Sequence, residues 1–405
     1  MNARNITTLA VIACLCSLLA ATCFAITISA ADPTPVPTVT PITAEQQYTP
    51  VLASVLARPM PVKLTDGLVY LIYELRLTNA TDVEMMVETV EVRDPQRANA
   101  LIATLSVEIT PTLFLPGVIT PTAKLAPAQT GILLIDLPFT SSDKIPAALE
   151  HWITVTTKQH KGVIPARLVE KVAWTPVELT LAVVIGPPVE GGLWLATNVL
   201  GESHHRKGFV PVNGEWVVAQ RFAVDYDLLD DQNRLVSGDP TKNESYPQFG
   251  KRLIAVSDGV VVKVIDGMAD IAPGETAAGL TLETAPGNHV ILEIGKGVYA
   301  LYAHFKQGSV AVREGERVKR GQWLGLLGNS GNTTMPHLHF HLMAGPLPLA
   351  SNGIPYVIDS FRLKGKVVGA DGAGRLQIEP ARASVRQGEM PGDLAVVEFP
   401  SAGTR

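Results

Sequence analysis

The stretch MPHLHFHL, residues 335–342, places histidines at 337, 339 and 341, each two residues from the next. In a β-strand the side chains at i, i+2 and i+4 share one face. Read as a strand, the stretch lines up three imidazoles as a row of nitrogen ligands or proton-transfer groups. Whether such a row works depends on what lies beside it.

The surrounding region, about 186–363, carries most of the histidines and many glycines. Its runs VVAQRFAVDYDLL, RLIAVSDGVVVKVI, HVILEIG, VYALYAHF, WLGLLG and HLHFHLM read as strands, with SDG, PGNH and IGKG as turns between them. No long amphipathic helical period interrupts them. The reading is therefore an antiparallel β-sheet core domain over 186–363 with a cleft on one face. Asp258 of SDG is expected to be a hairpin-turn residue and His289 of PGNHV a structural one. The polar stretch 230–250 is expected to form a lid or a wall beside the site. Beyond 364 the chain turns rich in glycine and proline and is expected to be a C-terminal tail, 364–405, with little core of its own.

Upstream, 49–185 shows short Val-, Ile- and Thr-rich runs at regular intervals, among them LVYLIYELRLTNAT, MMVETVEVRD and GILLIDLPF. This pattern predicts a β-sandwich of immunoglobulin-like type. It holds no clustered His, Cys or paired acids, so its expected role is a spacer or binding module. Asn79 of NAT reads as a turn residue rather than a glycosylation acceptor.

With 405 residues the chain has ample core for two or three domains, and 46% apolar residues mark it as globular. A formal net charge of −5 argues against a nucleic-acid binder. Residues 1–31 read as a signal peptide, with LAVIACLCSLLAATCFA as the apolar stretch and small residues before Asp32. The alternatives are an uncleaved N-terminal membrane anchor and a lipoprotein attached through Cys23. Residues 32–48 form a Pro/Thr-rich linker. The expected location is therefore periplasmic or extracellular. All three cysteines, Cys14, Cys16 and Cys23, lie in the first segment, so the exported protein would have neither thiol nor disulfide.

The run LYAHFKQGSVAVREGERVKRGQWLGLLGNSGNTTMPHLHFHL resembles the lysostaphin/LytM-type zinc metallopeptidases, whose members cut the peptide part of bacterial cell walls. Their pattern pairs a YAH strand with a glycine-spaced stretch ending in PHLHF. Here YAH ends at His304 and PHLHFH carries His337, His339 and His341. The likeness covers roughly residues 200–345, and KRLIAVSDGVVVKV matches a further strand pair of the family. A weaker likeness of VREGERVKRGQWLG to biotinyl and lipoyl carriers lacks the lysine-bearing hairpin tip those domains need.

The family resemblance implies a zinc cofactor, peptidoglycan peptides as substrate, Asp225 and His339 as metal ligands, and His304 and His337 as the catalytic pair. Zinc with three protein ligands keeps a position open for water and lowers its pKa. The chain departs from the family pattern at the first ligand, where Arg221 stands four residues before Asp225 in place of histidine. A guanidinium cannot serve as a ligand. On a strand Arg221 and Asp225 would share a face and are expected to pair. Two substitutes are available: His204 or His205 as the missing ligand, and Asp227 as an added carboxylate. His341 is expected to face substrate or support the ligands from behind. Two functions follow: a zinc endopeptidase acting on peptidoglycan cross-links, or a degenerate relative that binds cell wall or regulates a partner hydrolase. A β-rich adhesion protein acting through its first domain is the third.

Overall fold

The computed structural model describes residues 47–401 apart from 119, 160, 161, 383 and 384. The signal segment 1–31 and nearly all of the linker 32–48 lie outside the described residues. From Gln47 onward the chain forms one compact unit that is almost entirely antiparallel β-structure.

Two five-stranded sheets come first. One is built around Val69–Asn79 and Thr130–Phe139, the other around Met85–Asp94 and Ala148–Thr156. Alternation along Val69–Asn79 sends Leu71, Tyr73, Leu75 and Leu77 into a core shared with Val87, Val90, Val92, Ile153 and Val155 of the second sheet. The same alternation points Ile72 and Glu74 the other way. Ile72 joins a second, larger core, and Glu74 is fully buried beside it. The strand is thus covered on both faces. Asn79 is buried and staples its own turn, its Nδ2 donating to Val83 O at 2.8 Å and its Oδ1 accepting from Thr81 N at 3.0 Å.

The larger core underlies a twelve-stranded sheet. Its middle runs Asn288–Gly295, Val298–Phe305, Leu338–Met343, Val224–Leu229 and Leu193–Thr197, all antiparallel neighbours. Register places Asp225 directly opposite His339, and Thr197 opposite Asp225 on the other side. Phe340, Leu338 and Tyr226 fill the back of these strands.

The expectation of a tail over 364–405 is corrected. Phe361–Ala370, Leu376–Pro380 and Ala395–Glu398 extend the same sheet, with Ala395–Glu398 paired to Leu193–Thr197. Leu363, Val397 and Phe399 enter the larger core. The Gly- and Pro-rich stretches that suggested a tail are the turns between short strands whose apolar residues alternate.

Candidate metal centre

Asp225 sits at the floor of a cavity of about 400 Å³ and is 4% exposed. Four groups converge on its carboxylate. His339 Nδ1 lies 2.9 Å from Oδ1, and His337 Nε2 is 3.4 Å from the same oxygen. His205 Nε2 lies 3.2 Å from Oδ2, which also accepts a hydrogen bond from Asn198 Nδ2 at 2.8 Å. His205 comes from the one-turn helix His204–Lys207, and its ring is 4.7 Å from that of His339. The carboxylate therefore has an imidazole on each side.

The tautomers follow from the hydrogen bonds. His205 Nδ1 faces Asn198 O at 3.1 Å, His304 Nδ1 faces Ser330 O at 2.7 Å, and His337 Nδ1 faces Met335 O at 2.9 Å. A carbonyl only accepts, so each Nδ1 donates, and a neutral ring then keeps a bare lone pair at Nε2. Giving the second ring N–H to a carbonyl is how metal-binding histidines are usually oriented. It leaves His205 Nε2 and Asp225 Oδ2 as two acceptors face to face. Only a proton or a cation between them relieves that contact.

Charge states agree. Burial pushes the Asp225 carboxyl up, but the imidazoles of His337 and His205 outweigh it and hold it well below the usual carboxylate range. Burial lowers His339 to about 4 and, with help from neighbouring imidazoles, holds His304 well below the ordinary histidine value. An ionised carboxylate with the His339 imidazole held neutral beside it gives oxygen and nitrogen donors of the kind zinc takes. Tetrahedral ligands at zinc–ligand distances stand about 3.4 Å from one another. The observed separations of 2.9, 3.2 and 3.4 Å around Asp225 run up to that spacing, and the donor atoms of His204, His205 and Asp225, like those of Asp225, His337 and His339, lie within 4.8 Å of one another. The donor set therefore fits the ion.

The expected pairing of Arg221 with Asp225 is corrected. Arg221 lies in the turn before Val224–Leu229, not on the strand, so strand alternation does not govern it. Its guanidinium instead turns to Glu74, with Nε 2.9 Å from Oε2 and 3.1 Å from Oε1 and with Nη2 donating as well. Asp225 is left to the imidazoles.

The other expected residues fall around this centre. His204 is exposed at the cavity edge, its ring 4.6 Å from that of His205. His304 and His337 lie together with ring centres 4.8 Å apart. His341 is fully buried, its Nδ1 3.0 Å from His339 Nε2, and it lies behind His339 rather than facing the cavity. Asp227 is buried beside Asp225, accepting from Gln248 Nε2 and Thr197 Oγ1, each at 3.3 Å, and burial raises its carboxyl to about 7. Gln248 also donates to Pro336 O at 2.6 Å, so the end of the 230–250 stretch forms a wall beneath the histidine strand. Asp258 holds Lys319 and Arg320 at the surface, and His289 is buried with its Nδ1 2.8 Å from Gly287 O; neither lines the cavity.

His304 adopts φ +64°, a left-handed conformation uncommon outside glycine, as the last turn of its strand swings the ring toward the cavity. Its orienting acceptor, Ser330 O, is held by two facing glycines. A Cβ on Gly331 would meet Gly287 N at 2.3 Å, and one on Gly287 would meet Ser330 O at 2.1 Å. The glycines of the LGNSGN run thus serve a close backbone approach.

Sequence reading missed Asn198, whose carbonyl orients His205 and whose amide holds Asp225, and Gln220, whose Nε2 is 3.3 Å from His339 Nε2. No pattern marks either residue. Only the pairing of Leu193–Thr197 with Val224–Leu229 brings Asn198 close.

The profile described as peptidase family M23 matches residues 246–351. That span contains His304, His337 and His339 and begins after His205 and Asp225. Peptidoglycan DD-endopeptidase ShyA of Vibrio cholerae is 38% identical over 63 residues, which is 16% of this chain and 14% of that protein. An uncharacterized metalloprotease of Haemophilus influenzae is 32% identical over 107 residues, 26% of this chain and 22% of its own length. The alignments thus span less than a quarter of either relative. Among solved structures, a catalytic domain of the prophage-encoded M23 protein EnpA from Enterococcus faecalis aligns at 21% identity. It covers 42% of this chain and 92% of that one, with a TM-score of 0.25. The catalytic domain of lysostaphin from Staphylococcus simulans aligns at 19% identity over 40% of this chain and 86% of that one, with a TM-score of 0.23.

Proposed function

We propose that this chain, whose residues 246–351 match the profile of peptidase family M23, is an exported zinc endopeptidase of lysostaphin/LytM type hydrolysing peptide cross-links of peptidoglycan. The observation that carries the reading is Asp225 placed between His205 and His339, with Arg221 withdrawn to Glu74. His205, Asp225 and His339 would hold the metal, and His205 takes the place the family gives to the histidine of its first motif. The ion would supply Lewis acidity toward the scissile carbonyl and toward water.

The chain's own groups do the rest. His304 and His337 each have Nδ1–H fixed to a carbonyl, so each ring presents Nε2 as a proton acceptor. Neutral imidazoles can take a proton from attacking water at that atom and return it to the departing amine. Asn198 and the backbone carbonyls fix the rings before substrate arrives, so little reorganisation is left to the reaction. The signal-like sequence of residues 1–31 supports the export part of the reading, as does the location of peptidoglycan outside the cytoplasm. The relatives' names, ShyA among them, support the substrate class.

The degenerate alternative, a wall-binding or regulatory domain, drew its support from an Arg221–Asp225 pair. Arg221 turns to Glu74 instead, which favours the enzyme reading.

The test is muropeptide release from purified sacculi by the reconstituted protein. Cross-linked dimers should fall and new free amines rise, while Asp225→Asn does neither. Less than about 0.1 zinc per chain after reconstitution, against one per catalytic site, counts against the proposal. A second prediction follows from the facing glycines. Gly331→Ala forces its Cβ into the Gly287 backbone and moves Ser330 O away from His304 Nδ1. Cleavage should drop about ten- to a hundredfold, the scale for losing a partner that orients a site imidazole. A folded variant with parental turnover would refute that role.

A further inference from the structure

We propose that Glu74, on the first sheet, is a positioning residue for the metal centre: through Arg206 and Arg221 it fixes the spacing between the helix carrying His205 and the strand carrying Asp225. The inference rests on reading His205 and Asp225 as ligands.

One carboxylate takes both guanidinium groups. Arg206 reaches Glu74 Oε1 through Nε at 3.2 Å and Nη2 at 3.0 Å, and Arg221 takes the opposite side through Nε and Nη2. Glu74 and Arg206 are fully buried and Arg221 is 3% exposed, so water does not compete for these bonds. Asp136 on the neighbouring strand also accepts from Arg206, so two carboxylates balance two guanidinium groups.

Each arginine is tied to a ligand through the chain. Arg206 follows His205 directly, and Arg221 closes the turn that leads into Asp225. A single helical turn has almost no stability of its own. Helix His204–Lys207 is held instead by the first sheet at several points. Arg206 binds Glu74, Asp136 and Tyr73 O, Gly201 N donates to Asp136 Oδ2 at 3.0 Å, and Lys207 Nζ lies over the Phe114 ring at 5.4 Å. Two N–H donors of one planar guanidinium converging on a carboxylate fix direction as well as distance. In a chain whose substitute ligand comes from this helix, the first sheet becomes part of the centre's scaffold rather than a spacer.

The experiment uses the full chain, stripped of metal and titrated with Co²⁺, as the parent, Glu74→Gln, Arg206→Lys and the control Glu88→Gln, whose carboxylate pairs with Arg167 on the second sheet. Visible absorption reads the ligand field, near-UV circular dichroism reads the fold, and ¹⁵N-histidine NMR of the metal-free protein reads the His205 ring. Glu74→Gln and Arg206→Lys should bind Co²⁺ at least about tenfold more weakly, the lower end for a lost supporting contact, with an altered band. Both should move the His205 resonance, and Glu88→Gln should change none of the three. Should Glu74→Gln fail to fold, Arg206→Lys decides. Parental affinity, spectrum and resonance in a folded variant overturn the proposal. A parent that takes up no Co²⁺ removes the ligand reading; a His205 resonance that still moves in Glu74→Gln then shows that Glu74 positions the ring, and one that does not overturns that as well.

Discussion

His205→Ala should lower zinc affinity by at least about a hundredfold, the upper end of what losing a mere supporting partner costs. Among the described residues His205 is the one imidazole that contacts Asp225 Oδ2; His337 and His339 both meet Oδ1. Removing it leaves Oδ2 with Asn198 alone and opens the centre on the side of the short helix. From that helix Arg206 is engaged by Glu74, and His204, though its ring nitrogen comes within 4.8 Å of the Asp225 carboxylate, is exposed at the cavity edge. His204→Ala should therefore cost much less. Competition with a graded chelator, read as zinc retained per chain, separates the two. A larger loss from His204→Ala would mean that the ring supplying the third donor is His204.

The sheet was legible because it rests on strand alternation, which is local; the meeting of Asp225 with His339, 114 residues apart, was legible only through the family resemblance. The row 337–339–341, the YAH strand and the glycine spacing needed only period two and turn chemistry to be placed. Besides Asn198 and Gln220, two larger features were not legible. One was the tail: short strands separated by glycine and proline look like loops until a partner strand buries their alternate residues, as Leu193–Thr197 does for Ala395–Glu398. The other was the role of Arg221. Its sequence neighbour in charge was Asp225, four residues on, while its actual partner, Glu74, lies 147 residues upstream. Glu74 itself sits among apolar residues in YLIYELRL, and a single acid on a strand gives no sign of which buried cations will meet it. Non-local ion pairs between separate cores leave no local pattern, and this one decides whether the site is free to take a metal.

Arg221→His, which would reinstate the family's histidine, should destabilise the protein and leave metal affinity no higher. The substitution removes two of the guanidinium donors that Glu74 depends on and replaces a long side chain with a shorter one in a buried position. Breaking a buried ion pair from one side typically costs 3–5 kcal/mol. Arg206 still holds Glu74 Oε1, so a loss of about 3 kcal/mol, the lower end of that range, is expected. The gain on the other side is small, because Arg221 does not line the cavity and both oxygens of Asp225 already face imidazoles. A new ring at 221 would have to displace His205, whose orientation the same substitution loosens through Glu74. The measurement is a pair of curves on parent and variant: denaturant unfolding of the metal-free proteins, and zinc uptake. A variant that kept parental stability and bound zinc more tightly would show that position 221 can still supply a ligand. The withdrawal of Arg221 to Glu74 would then be incidental to the way this centre is built.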